Sequence, residues 1–175
     1  MKILENFTRL ESKNENLIVA HIRRGISFEH ISPGEKISRM LNEEYYIGII
    51  KKITTGTSQP FKLLILTDAP EFDTFYQPIE KDYEKWNQYN HYKQGRKVQI
   101  QGHSFSKIKE TFGGEIEIIR GGDVLDAIEQ IRRASYFIMS RSSMSYVGAL
   151  LNERGKIYYP PDFWHKPMKN WIKNN

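Results

Sequence analysis

The chain has 175 residues, no cysteine, 26 lysines and arginines against 21 acidic residues, and 39% hydrophobic residues. These values predict one compact domain, 1–175, that needs neither disulfides nor a structural metal. The missing cysteine excludes a disulfide framework, cysteine-ligated zinc and a thiol nucleophile. The sequence also lacks an apolar run of about 18 residues and the core of a secretory signal, so we expect a cytoplasmic protein without a membrane span.

The net charge of +5 comes mostly from lysines scattered among acidic residues. Scattered charge is typical of a solvated surface, and no arginine-rich run or known nucleic-acid-binding signature accompanies it. A nucleotide or sugar nucleotide would satisfy the same positive bias with few contacts. Nucleic acid is therefore the less favoured partner.

In chain order, the first elements form a strand–helix–strand unit. The apolar run Leu17–Ile22 predicts a buried strand. After a turn at Pro33-Gly34, Asn42-Glu43-Glu44 predicts the start of a helix that ends near Thr54. The apolar run Phe61–Thr67 predicts the next strand, and the three elements together indicate a parallel βαβ unit.

The C-terminal half repeats this alternation. Its predicted elements are a helix opened by Asp123 with Leu125, Ile128 and Ile131 on its apolar face, a strand at Tyr136–Met139, a helix at Met144–Leu151 and a strand at Ile157–Tyr159. Between the halves, an aromatic-rich polar stretch at about 77–109 is interpreted as an excursion from the sheet, and Val98–Ile100 within it as a further strand of that sheet. The whole pattern predicts an α/β fold, an open, mainly parallel Rossmann-like sheet with helices on both faces.

Ligands of such sheets bind outside the C-terminal ends of the strands. Three polar segments follow predicted strands there, at Arg23-Arg24-Gly25, at Asp68 and at Ser140–Ser145. We therefore expect these segments to lie along one edge of the sheet.

The first segment, with His21 before it, has the chemistry of a phosphate site. A guanidinium can make paired hydrogen bonds to a phosphate, and Gly25 lets the backbone approach a ligand. Because alternate strand residues point to opposite faces, at most one of Arg23 and Arg24 faces the site. The alternative is a solvated basic strand end with His21 as a buried structural histidine.

The other segments also have two interpretations. The hydroxyls of Ser140, Ser142, Ser143 and Ser145 lie at a strand-to-helix turn, which predicts either an anion site at the helix N-terminus or plain N-capping. Asp68 could hold a ribose or base, but an N-cap followed by Pro70 in a first helical turn is favoured.

Several common nucleotide-binding and catalytic motifs are missing from the sequence. It contains no Gly-x-Gly-x-x-Gly, no Walker A sequence, no Gly-x-Ser-x-Gly elbow and no Asp-x-Asp pair. These absences leave a metal-free phosphate site built from arginine and a helix N-terminus.

As a set, these segments resemble the fucosyltransferase superfamily that uses GDP-fucose. The matching residues are His21-Ile22-Arg23-Arg24-Gly25, Leu66-Thr67-Asp68 and Ser142-Ser143-Met144-Ser145-Tyr146. Their order and approximate spacing agree over Leu17–Trp164. The resemblance implies the donor-binding half of a GT-B fold and an inverting transferase that needs no metal.

The resemblance also implies roles for individual residues. Arg23 would contact the β-phosphate, His21 would lie beside the nucleotide, Asp126 or the nearby Asp123 would recognise guanine, and Ser142 and Ser143 would touch the diphosphate. GDP-fucose or a related GDP-sugar is then the donor, and a glycan hydroxyl is the acceptor. Glu29 and Glu35 lie on the loop after the motif and are candidate bases, and the alternative is that they are solvated loop acids.

Two departures from the family pattern leave the activity open. Ile26 stands where the motif usually has aspartate, and 175 residues supply only the donor half. Either a second chain or domain supplies the acceptor site, or the chain is a sugar-nucleotide-binding module without turnover.

Overall fold

The computed structural model describes residues 16–24, 40–55, 60–76, 98–100, 102–113 and 116–174. Within these ranges the chain forms eight strands and four helices. In order they are β1 (Leu17–His21), α1 (Glu43–Thr55), β2 (Lys62–Thr67), β3 (Thr74–Tyr76), β4 (Val98–Ile100), α2 (Ser106–Phe112), β5 (Ile116–Arg120), α3 (Val124–Arg133), β6 (Tyr136–Ile138), α4 (Ser143–Leu151), β7 (Lys156–Tyr159) and β8 (Ile172–Lys173).

Six of the strands form one sheet in the order β5-β2-β1-β6-β7-β8, and every neighbouring pair is parallel. Numbered within this sheet alone, the order is 3-2-1-4-5-6, which is the order of the doubly wound dinucleotide-binding fold. The predicted open, parallel α/β sheet is therefore confirmed. The strand order reverses between β1 and β6, so a crevice is expected at the C-terminal ends of these two strands.

Helices cover both faces of the sheet, as predicted. Side chains of β1 alternate between the faces: Ile18 and Ala20 pack with α1 and α2, whereas Leu17 and Val19 pack with α3 and α4. Both faces of the central strand are thus buried, which explains its continuous apolar sequence.

Helix α1 is positioned by its cap and its apolar stripe. The Asn42 side chain accepts a hydrogen bond from the Tyr45 N–H at 3.0 Å, and this caps the helix. The predicted stripe of Tyr46, Ile49, Ile50 and Ile53 is buried. Fully burying one such aliphatic side chain contributes about 1.5–3 kcal/mol, so the stripe fixes α1 against the sheet.

The middle of the chain differs from the prediction. Val98–Ile100 is a strand, but it pairs antiparallel with β3 in a separate two-stranded sheet, so its assignment to the main sheet was wrong. The position beside β2 is taken instead by β5. Phe105 and Ile108, near the C-terminal end of the proposed excursion, are fully buried in the core. Residues 77–97 lie outside the described residues.

The apolar face predicted for α3 is only partly correct. Ile131 is fully buried, but Leu125 is 63% exposed. Asp123 and Asp126, at the start of α3, line a surface pocket, so this end of the helix faces solvent instead of the core. In the part of the chain described, no helix is long and apolar enough to cross a membrane.

Candidate functional site

A buried polar cluster lies at the point where the strand order reverses. His21 ends β1, and its Nδ1 lies 2.5 Å from the Ser145 hydroxyl oxygen and 3.0 Å from that of Ser140. The two hydroxyl oxygens are 3.1 Å apart, and all three side chains are buried. The sheet brings these residues together because β6, which leads to Ser140, is the neighbour of β1.

Burial is the main influence on the pKa of His21. Loss of hydration is the largest influence, Asp68 opposes it and Arg23 adds to it, and together they lower the pKa of the His21 imidazole to about 4. The imidazole is therefore neutral at neutral pH. Its Nδ1 is engaged by hydroxyl groups, so the geometry suits a positioning group better than a proton carrier.

The serine loop contacts His21 and does not cap α4 through the Ser142 side chain. Ser142 occupies the N-cap position in an extended conformation, but its side chain makes no capping hydrogen bond. The Ser145 hydroxyl accepts from the Ser140 N–H at 3.2 Å, and the Ser142 N–H donates to the Ser140 carbonyl at 2.9 Å. Ser143 is exposed. The N-terminus of α4 is thus left without a Ser142 cap, in a loop that is held by His21.

The two arginines after β1 influence residues on opposite faces of the sheet. Arg23 influences the pKa of His21, and its Nε is buried without a hydrogen-bond partner in the ranges described. The Arg24 N–H donates to Asp68 Oδ1 at 2.7 Å, and its guanidinium donates to the Arg23 carbonyl at 3.0 Å. Arg24 acts on the pKa of residues in α1, on the other face of the sheet.

The favoured interpretation of Asp68 as an N-cap is wrong. No helix follows it in the range 69–76, where the chain continues into β3. Asp68 instead ties the end of β2 to the segment after β1, because its carboxylate accepts the Arg24 N–H. Asp68 therefore lies at the predicted edge of the sheet, but it links two strand ends instead of capping a helix.

A pocket of about 400 Å³ lies beside the ends of β2 and β5. Asp123 and Asp126 both line it, together with Leu66, which is the register partner of His21. Asp123 caps α3, as predicted, by accepting the Leu125 N–H at 2.6 Å. Asp126 takes no part in this cap, so its carboxylate is available to a ligand.

The sequence analysis missed Gly121-Gly122, which also line the pocket. Both have positive φ, 66° and 92°, and they form the turn from β5 into α3. The sequence signal for this turn was the pair of adjacent glycines directly before the N-cap aspartate. Gly25, Ile26, Glu29 and Glu35 lie outside the described residues. Within those ranges no cluster of three or more His, Asp or Glu side chains could hold a metal ion.

Comparisons with protein-family models, curated proteins and solved structures found no match to this chain.

Proposed function

We propose that the chain binds a GDP-sugar, with GDP-fucose as the donor, in the crevice at the ends of β1 and β6. The observation that carries this proposal is the contact of His21 with Ser140 and Ser145 at the reversal of strand order. It holds two loops that would touch a diphosphate at the edge where doubly wound sheets bind nucleotides. The fold alone would suit many nucleotides, so the choice of GDP-fucose rests on the sequence resemblance.

The diphosphate would be bound without a metal. Arg23 lies beside His21 and has a buried Nε without a partner among the described residues, so it is the proposed donor to the β-phosphate. The N-terminus of α4 with Ser142 and Ser143 would supply backbone N–H groups and hydroxyls for the same group. Arg24 and Gly25 would border the site after β1.

The base would occupy the pocket that is lined by Asp123 and Asp126. Guanine presents two neighbouring N–H donors on one edge, and a carboxylate can accept both. Asp126 is the proposed partner, because Asp123 already accepts the Leu125 N–H. Adenine presents only one N–H donor group beside an acceptor nitrogen, so this arrangement would select against it.

Turnover would transfer the sugar with inversion. The acceptor hydroxyl oxygen forms a bond to the anomeric carbon, the bond from that carbon to the diphosphate oxygen breaks, and GDP departs with the electron pair. The acceptor proton would pass to Glu29 or Glu35, the candidate bases from the sequence. Arg23 would stabilise the departing charge, and losing one such contact typically costs roughly 10²–10³-fold in rate.

The proposed partners follow from this assignment. A glycan is the acceptor, and a second chain or domain would supply its binding site. A cytoplasmic location, which is the expectation from the sequence, is proposed with it. Nucleic acid is the less favoured partner, because the positive charge is scattered over the sequence.

The test is a thermal-shift screen against GDP, GDP-fucose, GDP-mannose, UDP-sugars and short oligonucleotides, with and without EDTA. Guanine nucleotides should stabilise the protein in both conditions, by about 2.7 kcal/mol at 100 times the dissociation constant. GDP release from GDP-fucose in the presence of glycans separates an enzyme from a binding module. Stabilisation by oligonucleotides alone would contradict the proposal.

A further inference from the structure

The pocket beside the ends of β2 and β5 has an apolar side and a polar side. The sheet contributes Leu66 and Ile119 to its lining, and α3 contributes Asp126 and Gln130. The volume of about 400 Å³ is typical of pockets that bind small organic ligands. A flat group with apolar faces and hydrogen-bonding groups along one edge suits this lining, and a nucleobase is such a group.

Helical spacing places the Asp126 and Gln130 side chains next to each other. Residues at positions i and i+4 of a helix lie one turn apart on the same face, with about 5–6 Å between their Cβ atoms. Both residues line the pocket, so their polar ends can reach one edge of the same ligand. The ionised carboxylate of Asp126 only accepts hydrogen bonds, whereas the amide of Gln130 also supplies N–H donors.

The other charged side chains that line the pocket already have partners within the protein. Asp123 caps α3 through its carboxylate. The carboxylate of Glu129 accepts a hydrogen bond from Arg133 Nε at 2.7 Å, so these two residues of the lining neutralise each other. Asp126 and Gln130 take part in neither contact. They are therefore the two neighbouring polar side chains of the lining that can turn to a ligand.

We propose that Gln130 is a second specificity-determining residue for guanine, in which its amide N–H donates to O6 of the base. This inference rests on the proposed function, which places the base of the GDP-sugar in this pocket with Asp126 accepting from N1 and the exocyclic amine. Guanine presents an acceptor and two donors side by side on this edge. The amide of Gln130 and the two oxygens of Asp126 form the complementary set of one donor and two acceptors.

The experiment titrates the full chain by calorimetry with GDP and with two analogues that each alter one group of this edge. In 6-thio-GDP a sulfur atom, which is a weak acceptor, replaces O6, and inosine diphosphate lacks the exocyclic amine. The wild type should bind GDP more tightly than either analogue. Gln130→Leu should bind GDP about tenfold more weakly than the wild type does, because O6 loses its donor in the pocket. This variant should no longer distinguish GDP from 6-thio-GDP, but it should still prefer GDP to inosine diphosphate.

Two further variants are matched to this one. Asp126→Ala should show the opposite pattern, because it removes the partner of the amine: it should keep the preference for GDP over 6-thio-GDP and lose the preference over inosine diphosphate. Gln130→Glu has nearly the size of the natural side chain but sets an acceptor against O6, so it should weaken GDP binding at least as much as Gln130→Leu. Glutamine, leucine and glutamate have similar helix propensities, so both variants at position 130 should fold, and circular dichroism checks this.

The outcomes separate this inference from the proposed function. If the wild type binds GDP but Gln130→Leu still prefers GDP to 6-thio-GDP, the role of Gln130 is overturned and the proposed function stands. Wild-type affinity for GDP in Gln130→Glu would likewise remove the donor role of this residue alone. If the wild type binds none of the three nucleotides, the proposed function fails, and this inference fails with it.

Discussion

His21 and Ser145 are 124 positions apart in the chain, yet Nδ1 of the histidine and the hydroxyl oxygen of the serine lie 2.5 Å apart. The contact joins the end of β1 to the first turn of α4 at the point where the strand order reverses. Both groups are buried, so neither can exchange this partner for water. The loop after β6 is thereby fixed relative to the loop after β1, which is the preorganisation that a rigid anion site requires.

Ser145→Ala should destabilise the fold. The substitution removes the hydroxyl that accepts the Ser140 N–H and contacts His21 Nδ1, so the buried Ser140 N–H loses its acceptor. Such a loss costs about 1–3 kcal/mol. Ser143→Ala, in the same turn but exposed, should change the free energy of unfolding by less than about 0.5 kcal/mol. Urea unfolding of both variants measures the difference, and equal stabilities would show that the cluster contributes nothing.

The stability of the protein should fall as the pH is lowered from 6.5 towards 4. The pKa of His21 is about 4 in the folded protein against 6.5 for the free side chain, so the unfolded chain binds more protons in this window. The contribution of His21 is complete above pH 6.5 and is lost by about pH 4, with a total of about 3 kcal/mol.

The measurement is the free energy of unfolding at several pH values for the wild type and His21→Gln. The pKa of His103 is also lowered, so this second histidine contributes to the same pH window in both proteins and cancels in the difference. The wild type should lose more stability than the variant between pH 6.5 and 5. Parallel curves for the two proteins would contradict a low pKa at His21.

The elements that the sequence predicted best are those buried on both faces. β1 and β2 are continuous apolar runs, because helices cover both sides of the sheet there, and that pattern is visible without any tertiary information. β5 was missed because it is an edge strand with Glu117 exposed and no fully buried residue, so its sequence resembles a partly solvated segment. The strand that pairs with Val98–Ile100 could not be predicted, since its pairing with β3 depends on tertiary structure.

The sequence predicted the edge of the sheet at which the candidate site lies, but not the side-chain contacts within the site. The positions of His21 and Ser140 after predicted strands placed both at one edge of the sheet. Their contact depends on β1 and β6 being neighbours, which is a feature of strand order and not of local sequence. Tyr46 was assigned only to an apolar stripe, because periodicity predicts where its ring points and gives no information on the partners of its hydroxyl.

The two aspartates of the pocket should separate into a structural and a binding residue. Asp123→Ala removes the cap of α3 and should cost about 1 kcal/mol of stability. Asp126→Ala should leave stability nearly unchanged and weaken GDP binding about tenfold or more, because a bidentate contact to a base contributes about 1–3 kcal/mol. Calorimetry with GDP and ADP on both variants tests this. An Asp126→Ala protein that still prefers GDP would remove this residue from guanine recognition.

Arg23→Ala should abolish measurable GDP binding and leave the fold intact. Arg23 lies at a strand end, its Nε has no partner within the described ranges, and it acts on the pKa of His21, so its side chain belongs to the proposed diphosphate site and adds little to the core. Arg24→Ala should affect GDP binding much less, because the Arg24 guanidinium donates to the Arg23 carbonyl and acts on the pKa of Tyr46, on the other face of the sheet. Arg23→Lys should restore binding only in part, since an ammonium group cannot form the two parallel hydrogen bonds of a guanidinium.

GDP titration of the three variants by calorimetry measures these effects, with circular dichroism as the control for folding. Equal losses at both positions would indicate a diffuse basic surface, and wild-type affinity in Arg23→Ala would remove Arg23 from the site.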